Sequence, residues 1–213
     1  HELQEHPQEI LQKIEAEGRK KYGDKVTIDL MSKIHDGGVY ADQGIIAGCS
    51  GGTYDNLSEA AAILDNQSIG NDFFTMSAYP QSAPVSLAIQ RSGIAQTLTE
   101  AGVVLKPAFC GPCFGAGDVP GNDCFSIRHT TRNFPNREGS KPGQGQISWV
   151  ALMDARSIAA SAANGGRLTA ATDVDYTDNY GPYKYDGRIY EHRVFNGFGK
   201  ADPNYELRYG PNI

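Results

Sequence analysis

Short apolar runs alternate along this 213-residue chain with segments of helical periodicity. The apolar runs have the length of buried strands and are Gly44–Ala47, Phe73–Met76, Val103–Leu105, Cys124–Ile127 and Trp149–Leu152. The helical segments between and after them cover 55–64, 83–91, 93–100 and 154–164, and Asp55 or Asn56 is expected to cap the first of these helices. This alternation predicts an α/β fold with a mostly parallel sheet flanked by helices. In such sheets, ligands bind at the carboxyl ends of the strands.

The two ends of the chain depart from this central pattern. Residues 1–43 predict an amphipathic helix at Pro7–Lys21 and a lead-in strand at Val26–Leu30, both part of the same domain as the sheet. Residues 44–172 are predicted to form the α/β domain itself. Residues 173–213 are rich in Tyr, Asp, Asn and Gly with little periodicity, which predicts an irregular, extended arm or a linker toward a missing domain. Because the chain begins with His1 rather than Met, we expect it to be a piece of a longer protein.

Composition narrows the expected partners and compartment. The net charge of −6 disfavours nucleic acid, because phosphate binding needs a basic face. No apolar run approaches the roughly 18 residues of a membrane-spanning helix, and segment 1–21 is polar, unlike a secretory signal. We therefore expect a cytoplasmic, reducing environment and no membrane partner. Clustered cysteines in such an environment are more often metal ligands or redox groups than disulfides.

Three of the four cysteines follow predicted strands and lie beside small residues. Cys49 is flanked by Gly48 and Gly51-Gly52, and Cys110-Gly-Pro-Cys113 places two sulfurs one turn apart. Three thiolates suit one iron–sulfur cluster that keeps an iron open for substrate. By spacing alone, Cys110 and Cys113 also fit a redox dithiol or half of a zinc site. Cys124 lies inside a strand pattern, where a small buried hydrophobe is expected.

Two arginines share a loop downstream of the strand at Cys124–Ile127. Arg132 and Arg137 offer two guanidinium forks at a spacing that suits bidentate carboxylate binding. The residues alone leave open a plainer role as solvated arginines or as partners of local acids. His129, a lone histidine in this loop, is expected to be a surface residue.

Four motifs within 44–166 resemble, in order, those of the aconitase and isopropylmalate isomerase superfamily. Ile45-Ile-Ala-Gly-Cys-Ser-Gly-Gly-Thr-Tyr-Asp-Asn-Leu57 is similar to the first-cysteine motif of that superfamily. Met76-Ser-Ala-Tyr-Pro-Gln-Ser82 resembles the stretch that enters the next helix. Cys110-Gly-Pro-Cys-Phe-Gly115 resembles the paired-cysteine motif, and Arg132-Asn-Phe-Pro-Asn-Arg137 is similar to the Arg-Asn-Phe-x-x-Arg motif.

The resemblance implies a site and a reaction. Cys49, Cys110 and Cys113 would ligate a [4Fe–4S] cluster, and Arg132 and Arg137 would bind carboxylates of a small hydroxy-di- or tricarboxylic acid. The reaction would be dehydration and rehydration, with the open iron as Lewis acid. The chain resembles the third, cluster-binding domain of four in a divergent aconitase-like hydratase. The expected partners are therefore the substrate and the other domains of the full-length chain.

The resemblance also implies an incomplete site. The serine base and the Asp–His acid pairs of the family have no counterpart here, so we expect no catalytic residue within this fragment. The expected function is that of a fragment of an iron–sulfur hydro-lyase. Two alternatives are a non-catalytic iron-sensing or cluster-binding protein of the same family, and a Cys-x-x-Cys dithiol oxidoreductase. The paired arginines together with a third cysteine favour the hydro-lyase.

Overall fold

The computed structural model of the chain describes residues 2–131, 134–194, 196–204 and 206. The strands of this described part are β1 Ile34–His35, β2 Gly38–Val39, β3 Gln43–Ile46, β4 Thr75–Ala78, β5 Val104–Leu105, β6 Phe125–His129 and β7 Trp149–Leu152. Its α-helices are α1 Glu2–Glu5, α2 Pro7–Tyr22, α3 Gly48–Gly51, α4 Tyr54–Leu64, α5 Ala83–Arg91, α6 Ile94–Glu100, α7 Ala155–Ala163 and α8 Arg188–Arg193.

Five of the strands form one sheet in the order β5-β4-β3-β6-β7. All four neighbouring pairs are parallel, and Gly44 of β3 lies in register with both Met76 of β4 and Ile127 of β6. Strands β1 and β2 form a separate antiparallel hairpin. The predicted α/β class with a parallel sheet is therefore confirmed.

The two faces of this sheet are covered differently. Side chains alternate between faces along a strand, so Ile46, Met76 and Ile127 share one face, where they join the main hydrophobic core with helices α4 to α7. Ser126 and Arg128 lie on the opposite face. There the loop between β5 and β6 covers the sheet, and Arg128 donates hydrogen bonds to two backbone carbonyls of this loop. The loop that carries two cysteines is thus held against the sheet itself.

Side-chain caps define where the helices begin. The Thr53 side chain accepts a hydrogen bond from Asn56 N at 3.2 Å and so caps α4, while Ser82 caps α5 and Asp154 caps α7. The predicted cap, Asp55 or Asn56, is wrong: both residues lie within the first turn of α4, and Thr53 is the residue with extended backbone just before that turn. The cap also fixes the direction of the chain as it leaves the Cys49 segment.

Two predicted strands differ from the structure by more than their end residues. Residues 26–30 do not pair as a strand, because Val26, Ile28 and Leu30 bury their side chains in the main core while Leu30–Lys33 turns as a 3-10 helix. The strand predicted at Phe73–Met76 is shifted to Thr75–Ala78. Phe73 is apolar but 86% exposed, so the strand begins later than the apolar run predicts.

The first part of the C-terminal arm lies along helices α4 to α6. Ser58 donates to Asp178 at 2.7 Å, and the Tyr180 hydroxyl donates to Thr97 at 2.7 Å. Arg91 pairs with Asp186 at 2.7 Å. These contacts attach residues 178–186 to the helical side of the domain; that the arm continues toward a further domain stays a prediction. Within the described residues, no helix combines the length and the apolarity needed to cross a membrane.

Candidate metal centre

Cys49 is placed by a sharp turn directly after the central strand β3. Gly48 has φ +76°, a left-handed conformation that favours glycine, and it begins the short helix α3. A Cβ atom on Gly48 would lie only 3.0 Å from Cys113 Sγ. The backbone next to Cys49 therefore packs directly against the Cys113 thiol, and a larger residue would push the two loops apart.

Cys110 and Cys113 lie in one tight turn after β5. Residues Gly111–Cys113 form a 3-10 helix, and Cys113 N donates to Cys110 O at 2.9 Å. Cys110 is exposed, whereas Cys113 is only 8% exposed. The turn thus leaves Cys110 exposed to solvent and buries Cys113 against the Cys49 loop.

The Cys49 segment is also held by its own helix and by the end of β6. Asn56 Nδ2 donates to Ser50 O at 3.1 Å and to Gly51 O at 2.9 Å, which satisfies carbonyls at the end of α3. Cys49 Sγ lies 3.4 Å from Thr131 Oγ1. The ends of β3, β5 and β6 thus meet around the cysteines.

Gly51 is expected to tolerate no side chain. A Cβ at this position would lie 2.0 Å from His129 O, a backbone atom that cannot rotate away. We expect Gly51→Ala to lower the free energy of unfolding by about 1–3 kcal/mol, which is a fall in thermal midpoint of about 2–12 °C in a domain of this size. Gly143→Ala is the matched control, because nothing lies within 4 Å of its Cβ. Equal thermal midpoints for the two variants, measured by calorimetry, would contradict the close approach.

The donor set at this surface fits an iron–sulfur cluster. All four cysteines are free thiols, and the loops of Cys49, Cys110 and Cys113 meet at the carboxyl ends of the strands. Among the described residues, no three His, Cys, Asp or Glu side chains are close enough to hold a single metal ion. The ligands of a cluster are spread wider than those of one ion, because each thiolate binds a different iron. The assignment of these three cysteines as ligands stays a prediction.

Cys124 lies at the other end of the sheet. It precedes β6, whereas Cys49, Cys110 and Cys113 all follow strands. Its side chain is half-buried rather than fully buried, and burial raises the pKa of the Cys124 thiol, with a further contribution from nearby Asp42. Cys124 is thus a protonated thiol remote from the other three.

Arg137 contacts the paired-cysteine turn. Its Nε donates a hydrogen bond to Cys113 O, and its guanidinium carbon lies 5.5 Å from the centre of the Phe134 ring. Within the described residues, the terminal nitrogens of Arg137 make no hydrogen bond, so they are free to bind an anion. Arg132, the other predicted carboxylate-binding residue, lies outside the described residues.

His129 is not the surface residue that its sequence context indicated. It is the last residue of β6 and is half-buried. Its Nδ1 atom is buried and has no hydrogen-bond partner among the described residues. Burial lowers the pKa of His129, while the nearby carboxylate of Asp154 raises it by a smaller amount. The expectation was wrong because the strand extends two residues beyond Ile127.

His129 should make the fold less stable in mild acid. Its pKa is lower in the folded state than its ordinary value of 6.5, so the unfolded chain binds the proton more readily. The free energy of unfolding should therefore fall as pH drops below about 6.5 and level off below the folded-state pKa. His129→Gln should remove this part of the pH dependence in denaturant titrations, whereas His6→Gln, at an exposed position, should not. A parent-like acid slope in His129→Gln would rule out His129 as its source.

The roles of two residues in this region were not predicted from the sequence. Asn56 was considered only as a helix cap, although it braces the Cys49 segment. Arg128 lay just outside the predicted strand, which ended at Ile127, although it is 2% exposed and bonds to the paired-cysteine loop. The signal that could have identified it is its position directly after that strand, where one further strand residue brings a charge into the sheet, and buried charges are rare without a partner.

The fold and this surface define an α/β domain that gathers free cysteine thiols at the carboxyl ends of parallel strands. Residues 2–160 match the family model described as the aconitase family (aconitate hydratase). The chain belongs to the aconitase family.

Relatives of known name include large subunits of 3-isopropylmalate dehydratase. Large subunit 1 from Methanopyrus kandleri is 31% identical over 131 residues, which cover 60% of this chain and 29% of the relative. The large subunit from Nitratidesulfovibrio vulgaris strain DP4 is 32% identical over 129 residues, 60% of this chain and 30% of the relative. Large subunit 2 from Pyrococcus furiosus is 34% identical over 112 residues, 52% of this chain and 29% of the relative. The matched part of the chain therefore spans less than half the length of each of these relatives.

Proposed function

We propose that this chain is the cluster-carrying part of an iron–sulfur hydro-lyase that acts on a hydroxy-di- or tricarboxylic acid in the cytoplasm. The observation that carries the proposal is the packing of Gly48, next to Cys49, against the Cys113 thiol in a chain of the aconitase family. Cys49, Cys110 and Cys113 would hold a [4Fe–4S] cluster. When bound, the cluster supplies a Lewis-acidic iron for the hydroxyl group that leaves the substrate.

The residues of this chain have two tasks in that reaction. The cysteine loops would fix the orientation of three thiolates. Gly48 lets the Cys49 loop lie close to Cys113, and Gly51 lets the same loop lie close to the end of β6. Arg137 would bind a substrate carboxylate through its terminal nitrogens, with Nε already engaged by Cys113 O. That bond would hold the carboxylate at a fixed distance from the paired-cysteine turn. Arg132 would bind a second carboxylate, as its motif implies.

Proton transfer would come from outside this piece. We propose that the base and the acid belong to other domains of the full-length protein or to a second chain. The name of the relatives, large subunit, supports an enzyme divided between parts. The purified 213-residue piece should therefore turn over no hydroxy acid, even after reconstitution, because its sequence offers no counterpart of the serine base or the Asp–His acid pairs of the family. Turnover above that of a cluster-free control would contradict this expectation.

A dithiol oxidoreductase is less well supported by the geometry. Such enzymes lower the pKa of the attacking thiol at the start of a long helix. Here Cys113 ends a three-residue 3-10 turn and is nearly buried. Its neighbour across the fold is another cysteine segment, which favours joint ligation of a cluster.

The test is anaerobic reconstitution of the full-length protein with iron and sulfide. Absorbance and electron paramagnetic resonance report the cluster, and a panel of hydroxy-di- and tricarboxylic acids reports turnover. We expect cluster uptake and hydration activity on at least one acid, with none in the cluster-free protein. Uptake without any turnover would favour the iron-sensing alternative, and absence of uptake would refute the cluster assignment.

A further inference from the structure

Arg128 is a buried cation on an inner strand of the sheet. It lies on β6 between β3 and β7, and it is 2% exposed. A buried charge is costly unless its hydrogen bonds are satisfied and an opposite charge compensates it. An apolar side chain would be the ordinary occupant of such a position, so the presence of arginine calls for a physical explanation.

The hydrogen bonds of Arg128 connect the sheet to the loop above it. Nε donates to Ser126 Oγ at 2.8 Å, and one terminal nitrogen donates to Gln43 Oε1 at 3.1 Å. The remaining two bonds reach the cysteine loop, at Pro112 O (2.9 Å) and Asp118 O (3.0 Å). Pro112 directly precedes Cys113, so the guanidinium bonds to the peptide group that carries this cysteine.

These four bonds are made to uncharged acceptors, so none of them pairs the charge of Arg128 with a carboxylate. All four acceptors are neutral oxygen atoms. The anionic or potentially anionic groups that interact with the guanidinium electrostatically are Glu138, Asp118, Cys113 and Tyr79. Arg128, Arg137 and Glu138 line a small cavity of about 10 Å³ beside Cys113. Because Arg128 is only 2% exposed and Cys113 only 8% exposed, solvent screens the field of Arg128 at Cys113 weakly.

We propose that Arg128 is the positioning residue of the metal centre. It would fix the Cys110–Cys113 turn through Pro112 and Asp118, and its positive charge would stabilise the anionic cluster bound beside Cys113. Arg137 grips the next carbonyl of the same turn, at Cys113 itself. Two guanidinium groups would thus hold consecutive peptide groups: Arg128, on the sheet, bonds to Pro112 O, and Arg137, in the loop after β6, bonds to Cys113 O. This inference rests on the proposed cluster site.

The test uses Arg128→Met, Arg128→Lys and Ser126→Ala in the full-length protein. Methionine removes both charge and donors, and lysine keeps the charge but loses the fork. Ser126→Ala removes the two bonds of the Ser126 hydroxyl, to Arg128 Nε and to Gln43 Oε1, and leaves both bonds from Arg128 to the cysteine loop. Three quantities are measured: the rate of iron loss to a chelator, the reduction potential of the cluster, and the thermal midpoint of the iron-free protein.

We expect iron loss to be at least about tenfold faster in Arg128→Met, several-fold faster in Arg128→Lys and parent-like in Ser126→Ala. Removal of the positive charge should lower the reduction potential in Arg128→Met by about 59 mV or more, the equivalent of a tenfold change in a one-electron equilibrium. Arg128→Lys should keep a potential near that of the parent, because the charge remains.

The outcomes separate this role from simpler ones. Variants that lower only the thermal midpoint, with parent-like iron loss and potential, overturn the inference and make Arg128 a structural residue. If Arg128→Met does not fold, Arg128→Lys decides: faster iron loss supports the inference and parent-like loss overturns it. A parent protein that binds no cluster overturns the proposed function and this inference together, whereas a loaded parent with parent-like variants overturns only the role of Arg128.

Discussion

Cys49→Ser should leave the full-length protein without its iron–sulfur cluster. The Cys49 loop packs against Cys113 through Gly48, so Cys49 would supply the ligand that lies across the cluster from the paired turn. A serine hydroxyl is not deprotonated at neutral pH and does not replace a thiolate as an iron ligand. We expect iron per chain, measured after anaerobic reconstitution, to fall to the level of a mock-treated control.

Cys124→Ser is the matched control for that experiment. Cys124 lies at the opposite end of the strands, and burial raises the pKa of its thiol, so it should not compete for iron. Iron content and the cluster spectrum should equal those of the parent. Equal loss of iron from Cys49→Ser and Cys124→Ser would show that the three-cysteine assignment is wrong.

Arg137→Lys should reduce catalytic efficiency while the cluster remains. The guanidinium would perform two tasks at once, because Nε bonds to Cys113 O while the terminal nitrogens would bind the substrate carboxylate. A single ammonium group keeps the charge but cannot do both in a planar, bidentate manner. Hydrogen bonds to charged groups are worth about 1.5–3 kcal/mol, so kcat/KM for the responsive hydroxy acid should fall roughly 10- to 100-fold.

The control for this substitution lies on the surface of α7. Arg156 pairs with Asp154 and Glu59 and is 48% exposed, so Arg156→Lys should leave kcat/KM unchanged. Iron content should match the parent in both variants. Parent-like kinetics in Arg137→Lys would show that Arg137 only stabilises the cysteine turn and does not bind substrate. Arg132→Lys is expected to behave as Arg137→Lys does, since its motif implies the same carboxylate grip.

Local patterns in the sequence were sufficient for much of the fold. The strand Trp149–Leu152 and the helix Ala83–Arg91 have the predicted bounds, because each is a short periodic run ended by polar or capping residues. Errors arose where burial depended on distant partners. Residues 26–30 alternate like a strand but bury their apolar side chains in the core without pairing, and Phe73 is apolar but exposed.

The site was less predictable than the fold for a related reason. The cysteines and arginines form recognisable local motifs, so their identities could be extracted from the sequence. The hydrogen bonds from Arg128 to the cysteine loop depend on which face of the sheet the loop between β5 and β6 crosses. No local sequence pattern specifies that face. The same holds for His129, whose burial follows from the length of β6 and from the approach of Gly51 to its carbonyl.

The packing of Gly48 against Cys113 has a consequence for the order of events during folding. The two cysteine loops are far apart in sequence, and helices α4 to α6 and strands β4 and β5 lie between them. Their meeting therefore requires that non-local parallel pairing be completed first, and such pairing forms slowly. A nascent chain would expose each thiol singly, without a shared binding surface. We accordingly expect iron and sulfide to bind only after the strands of the sheet have paired. Cluster insertion would then mark the last stage of folding.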